Sequence, residues 1–426
     1  MRRKTLAAFC GLAAAASIGL SACSSSGGSG SSPASVTLTV IGWKGGAAEP
    51  ANMTEINNAF EASHPNIKID YTFVDSSEYD TKLNSELLGG GAQDVVMANT
   101  TDAPRWAKSG YLEDLSRQPW VADLSAPDKP LSVVNGKVYA EPNELTGIGL
   151  FSNLQVLKAA GISAPPATWP ELLSDLQTLK KDGKPGLALP DQSGWTVFEA
   201  INASAADSVY AHDPTWDSQL TSGSASFTTT SGWRSAIQQV VGLGSQGLIN
   251  YSAQLGVNEW GQGLQNFEAG DDAFLLQGSW AMDELSTAVG PSNLALSPWP
   301  GGQAGAQPVA TTAVGTMWTI NARTSHLQAA EEYLDYWSTA QAMTPYLTAE
   351  ASVSPFSNVP SPKIAGAASF LSAVGSGHFW VLPENGWAGG QSQTDLGNAD
   401  QGLLLGKSDV AQTLSSYNSI VKKDVG

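Results

Sequence analysis

The chain has 426 residues, enough for two or three domains and a sizeable buried core. Hydrophobic residues make up 42%, so it is neither disordered nor polytopic, and only 14% are charged, below the usual quarter. Twenty-one Lys+Arg against 39 Asp+Glu give a net charge of −18, an acidity that argues against nucleic acid, which needs clustered Lys/Arg.

Arg2, Arg3 and Lys4 precede an Ala-rich apolar stretch, Leu6–Leu20, too short to span a bilayer comfortably and laid out as a signal peptide. It ends in Leu20-Ser21-Ala22-Cys23, which resembles the lipobox of bacterial lipoproteins and makes Cys23 the expected lipidation site. Removing residues 1–22 takes three positive charges and no negative ones, which moves the net charge from −18 to −21. The stretch Ser24–Ser32 is a Ser/Gly tether with nothing to pack, and residues 24–35 would reach about 20 Å as a random coil. No later apolar run approaches a membrane span.

From Val36 the pattern alternates. Val36–Gly42 reads as a strand, Asn52–Ser63 as an amphipathic helix stopped by Pro65, and Ile67, Ile69, Tyr71 and Phe73 as a strand. A helix carrying Tyr79, Leu83 and Leu87 ends at Gly89-Gly90-Gly91, and Asp94–Ala98 is a short strand. This strand–helix alternation predicts a doubly wound α/β lobe. Asn135-Gly136 predicts a tight hairpin within Val133–Tyr139.

A second α/β series follows Pro142. Leu145–Phe151 reads as strand, and Asn153–Ala160 as a helix with Gly161 just past its end. Thr168-Trp169-Pro170-Glu171 is a capping box opening a helix through Lys181. Helices around Gly194–Ala206 and Ser231–Leu243 are followed by the strand Ala273–Leu276, a strand-like run Val314–Ile320, and a helix Ser325–Thr339 with Leu327, Leu334 and Trp337 facing inward. The C-terminal part is mostly helical.

Most chemical motifs fail on context. Gly242–Gly247 matches G-x-G-x-x-G, but it closes a helix instead of opening one. Gly402–Ser408 has the wrong glycine spacing for a phosphate loop; Gly406 ends one helix, and Ser408 is the expected cap of the next. His64, His212, His326 and His378 are scattered, so no metal site is expected. No cofactor and no catalytic residue is assigned.

Tryptophan is the anomaly. The 14 Trp outnumber both Phe and Tyr, and three follow predicted strands, Trp43 after Val36–Gly42, Trp195 after Leu187–Leu189 and Trp280 after Ala273–Leu276. Ligands of open α/β sheets bind beyond the carboxyl ends of strands. A flat indole there suits the C–H face of a sugar ring, with neighbouring polar groups taking the hydroxyls.

Several segments carry a resemblance to a known family. These are Phe60–Ile69 (FEASHPNIKI), Leu87–Val96 (LLGGGAQDVV), Gly136–Pro142 (GKVYAEP), Ala160–Leu172, Phe267–Trp280 (FEAGDDAFLLQGSW) and Ala329–Trp337 (AAEEYLDYW). In order and spacing they resemble the family 1 extracellular solute-binding proteins of ABC importers, the class containing maltose-binding proteins. Gln93-Asp94 and Ser152-Asn153 depart from the family's common Pro-Asp and Tyr-Asn.

The resemblance implies an α/β, two-lobed periplasmic-binding-protein-like (type II) fold. Its discontinuous lobes, 36–143 with 314–355 and 144–313 with 356–426, would turn on hinge strands near Glu141–Glu144 and Ala310–Val314. It implies a monomeric, lipid-anchored receptor, not an enzyme, on the outer face of the bacterial cytoplasmic membrane. That receptor passes a mono- or oligosaccharide to the permease's transmembrane subunits. Trp280 is the leading ligand-binding candidate, joined by Trp43, Trp195 and Trp387 as further platforms and by Lys44, Asp102, Glu144 and Asp283 for hydroxyls. A secreted glycoside hydrolase, and the same receptor fold for a non-sugar solute, are the alternatives.

Overall fold

Thirteen strands and the helices packed on them build the computed structural model, which describes residues 35–46, 51–125, 129–184, 186–382, 387 and 390–425. The proposed signal peptide, Cys23 and most of the Ser/Gly linker lie outside the described residues.

The strands are β1 (Val36–Gly42), β2 (Ile67–Phe73), β3 (Val95–Ala98), β4 (Val133–Val134), β5 (Lys137–Val138), β6 (Glu141–Pro142), β7 (Leu145–Asn153), β8 (Leu187–Ala188), β9 (Phe274–Gly278), β10 (Leu294–Pro298), β11 (Ala310–Val314), β12 (Met317–Ile320) and β13 (Phe379–Val381). One sheet runs β2-β1-β3-β12-β6, with β1 parallel to β2 and β3, and β12 antiparallel to β3 and β6. The other runs β13-β11-β7-β9-β8. Its central strand β7 is buried along all nine residues and divides one edge between two partners, β11 beside Leu145–Ile148 and β10 beside Gly149–Asn153. Such a continuous buried run is what a strand covered on both faces requires.

The predicted elements correspond closely to these. The alternating apolar faces of Met53–Ser63 bury Met53, Ile56 and Phe60. Asn135 and Gly136 both take positive φ, as the tight hairpin between β4 and β5 needs. Glu171 accepts the backbone N–H of Thr168 at 3.0 Å, its half of the capping box. The helix Ser231–Ser245 contains most of the glycine-rich pattern, which exits through Gly247 at φ 63°.

Three expectations change. The run Val314–Ile320 is not one strand. β11 belongs to the second sheet and β12 to the first, so the chain changes sheets at Gly315-Thr316. Leu327 is 37% exposed, because it opens its helix instead of lying on the buried face carried by Tyr333, Leu334 and Trp337. The cap before Val410 is Asp409, whose Oδ1 accepts the Gln412 N–H at 2.9 Å; Ser408 instead bonds Thr413.

The two lobes meet at three stretches. Glu141-Pro142 leads through Asn143 and Glu144 into β7, where Asn143 donates its N–H to the Thr316 carbonyl and its side-chain amide to Thr316 Oγ1. Gly315-Thr316 is the second, and Leu145 pairs with Val353 at the third. Pro355–Asn358 still pairs with Asp123 and Ser125 of the first lobe.

Candidate functional site

A cavity of about 380 Å³ opens where the two sheets meet. Asn99, Thr100 and Thr101 contribute one wall, just beyond the carboxyl end of β3. Asn99 Oδ1 accepts the N–H groups of Thr101 and Asp102, which fixes that turn. Thr146–Ile148 and Ala313–Gly315 supply the floor. The second lobe supplies Trp195, Phe198, Glu199 and Trp280, together with Ser193, Gly194, Leu382, Gln393 and Thr394.

Three indoles gather at that wall. Trp195 opens the helix Trp195–Ala205, and Trp280 follows β9. Their ring centres are 6.2 Å apart at 40°. Trp260 completes a triangle, 5.1 Å from Trp195 and 6.0 Å from Trp280. Trp280 is held by the strand that precedes it. A Cβ on Gly278 would come within 2.1 Å of the Trp280 indole, so only glycine lets the ring fold back there.

Beneath Trp280 lies a buried charge cluster. Lys44 is 5% exposed, and its Nζ sits 2.8 Å from Glu350 Oε2 and 5.8 Å from the centre of the Trp280 ring. Glu144, also buried, accepts Thr316 Oγ1 at 2.9 Å, and that hydroxyl also lies 2.7 Å from the Tyr346 hydroxyl. Burial, then the neighbouring Glu350 charge, pushes the Glu144 carboxyl up to about 8, while Lys44 and Thr316 pull it down. The bare Cα of Gly315 leaves room for that carboxyl, since a Cβ there would lie 2.3 Å from Glu144 Oε1. Ser279 ties the cluster to the second lobe, meeting Thr146 Oγ1 at 2.7 Å and donating to the Glu350 carbonyl at 2.9 Å.

The sequence-based candidates fall in different places. Trp195 and Trp280 line the cavity. Lys44 and Glu144 stand behind its floor as partners in the buried cluster. Trp43 is half-buried and packs edge-on against Tyr79 at 4.9 Å. Asp102 is buried and bonded to Arg105; burial, then the Asp102 charge, raises nearby Asp80 to about 6. Asp283 is exposed on the helix Met282–Val289, and Trp387 is buried against Phe227 and Trp233 in the second lobe's core. None of these last four lines the cavity.

Sequence reasoning missed Glu199, Trp260 and the Asn99–Thr101 turn. Glu199 sits one helical turn after Trp195, the i,i+4 spacing that puts two side chains on one face. Among the described residues no group of three or more His, Cys, Asp and Glu could hold a metal ion, and no helix is long and apolar enough to cross a membrane.

The arrangement has counterparts among known proteins. Across 421 residues the chain is 23% identical to the multiple sugar-binding protein of Streptococcus mutans, covering 97% of each chain. A solved chitin oligosaccharide binding protein superimposes with a TM-score of 0.76 at 19% identity, over 92% of this chain and 99% of that one. The raffinose complex of the solute-binding protein RafE gives 0.76 at 18%, over 92% and 100%. These likenesses establish the two-lobed type II binding fold, and the proteins concerned are receptors, not enzymes. The model of the bacterial extracellular solute-binding protein family matches residues 44–344, most of both lobes and the strands that join them. The chain belongs to that family.

Proposed function

We propose that the protein captures a carbohydrate between its lobes and delivers it to the membrane subunits of an ABC importer, acting as a monomer on the outer face of the cytoplasmic membrane. The observation that carries the sugar reading is the pair of indoles, Trp195 and Trp280, lining a cavity bounded by both sheets. Polar groups stand around them, namely Asn99, Thr101, Glu199 and Gln393. An indole face covers the apolar side of a pyranose while amides and carboxylates take its hydroxyls. The names of the relatives, which include binding proteins for multiple sugars and for chitin oligosaccharides, favour the same class.

In this reading residues 36–143 with 314–358, and 144–313 with 359–426, turn as rigid lobes about the connections between the sheets; the expected boundary at 355 moves because Ser357 and Asn358 bond Asp123. Ligand touching both lobes favours the closed form by its differential affinity, and no bond is made or broken. The test combines calorimetric titration against a carbohydrate panel with small-angle scattering. At least one carbohydrate should bind, shrink the radius of gyration and be recovered unchanged. Absence of binding across the panel, or binding with no change in radius, would count against it.

The anchor rests on Leu20–Cys23. One acyl chain holds a protein only marginally, so stable retention calls for two or more on Cys23. Cys23→Ala is expected to leave the precursor uncleaved or to release the protein from membranes on fractionation. A wild-type protein carrying an unmodified Cys23 would exclude lipid anchoring.

A further inference from the structure

Trp260 is the member of the indole triangle that does not line the cavity, and it remains 43% exposed. A scattered exposed aromatic needs no explanation. This one is held by an ordered scaffold. Asn258 Oδ1 accepts the N–H groups of Trp260 at 3.1 Å and Gly261 at 2.8 Å. Next to the indole, the buried carboxylate of Glu259 accepts both the N–H and the hydroxyl of Ser193, at 2.6 and 2.8 Å. The Glu259 carbonyl accepts Gln277 Nε2 at 3.2 Å, and Gln192 donates its N–H to the Val257 carbonyl. The segment bearing Trp260 is therefore tied both to the loop that leads into Trp195 and to the strand that leads into Trp280.

Ordering such a segment costs conformational entropy. Burying the side chain would offset that cost, yet this tryptophan keeps 43% of its surface exposed. The three centre-to-centre distances, 5.1, 6.0 and 6.2 Å, describe a compact triangle and not a file. The apolar surface thus continues without a gap from the cavity onto its rim. A single pyranose seated against Trp195 and Trp280 would leave the Trp260 face wet. A longer chain leaving the cavity would cover it.

We propose that Trp260 determines chain length at this site, stacking on a sugar unit that projects beyond the cavity, so that the ligand is an oligosaccharide and not a monosaccharide. This rests on the carbohydrate reading given above.

The experiment is calorimetric titration of wild type and Trp260→Ala with gluco-, galacto-, xylo- and chito-oligosaccharides of one to five units. Wild-type affinity is expected to rise with length in the series that binds. Trp260→Ala should lose about tenfold for the longer members and nothing for the shortest member that binds, the scale of one aromatic contact. An equal loss at every length would make Trp260 a support for its two neighbours and overturn the proposal. So would no loss at any length, or a wild type that binds monosaccharides alone; those three results leave the carbohydrate reading standing. A wild type that binds no member of any series removes both. A melting temperature matching wild type establishes that Trp260→Ala is folded, and Trp260→Phe, which keeps a smaller stacking face, should fall between the two.

Discussion

Lys44→Met is expected to destabilise the protein by about 3–5 kcal/mol at pH 8, the usual result of deleting one partner of a buried ion pair. Methionine matches the length of the lysine stem, so the cost comes from charge and not from a cavity. It leaves the buried Glu350 carboxylate without the Nζ that sits 2.8 Å away. It also removes the cation that holds Glu144 down. The sign of the pH dependence follows. Glu144 is raised in the folded state from 4.5 to about 8, so its proton favours folding fully below pH 4.5, and that stabilisation fades as the pH rises through about 8. Without Lys44 the penalty for ionising Glu144 grows, so the deficit of the variant should be smaller at pH 5 than at pH 8. Urea unfolding of both proteins at the two pH values measures it. A deficit below 1 kcal/mol, or one larger at pH 5, would mean that Lys44 does not neutralise this cluster.

Trp280→Ala is expected to weaken ligand binding about thirtyfold, as loss of an aromatic anchor worth about 2 kcal/mol would. A purely structural Trp280 makes a different forecast, since truncating a buried tryptophan costs about 3–5 kcal/mol of stability. The residue is half-buried and packs against both hydrophobic clusters of the interior, so some loss of melting temperature accompanies either outcome. Affinity is what separates them. Unchanged affinity with a large fall in melting temperature would assign Trp280 to the core. Gly278→Ala sharpens the comparison, because its methyl would displace the indole while keeping it in the protein.

Much of the fold was legible because its elements have local causes. Periodicity, the capping box and the Asn135-Gly136 turn all act within a few residues. The division of Val314–Ile320 between two sheets was hidden, because an apolar run reads as strand whichever sheet receives each half. Only Gly315-Thr316 marks the break. Trp195 and Trp280 could be found from the rule that binding sites lie beyond strand ends. Lys44 and Glu144 looked like ligand contacts, but their arrangement depends on Glu350, which approaches Lys44 from 306 positions along the chain. No local pattern carries that. Trp260 follows no strand, and its position comes from hydrogen bonds to the loop around residue 192 and to Gln277 in β9. Asn258 two residues earlier, capping a turn, was the available hint.

The place of β12 between β3 and β6 has a consequence for the newly made chain. At about 5–20 residues per second, the residues that complete this sheet emerge roughly 10–45 seconds after Val95–Ala98. Until then β3, apolar along its whole length, offers an unpaired edge to any passing strand. The nascent first lobe is therefore a client for whatever escorts unfinished chains, and a slow ribosome or a stalled export step would lengthen its exposure. Crowding many copies together during overproduction should convert that interval into aggregates before it converts it into lobes.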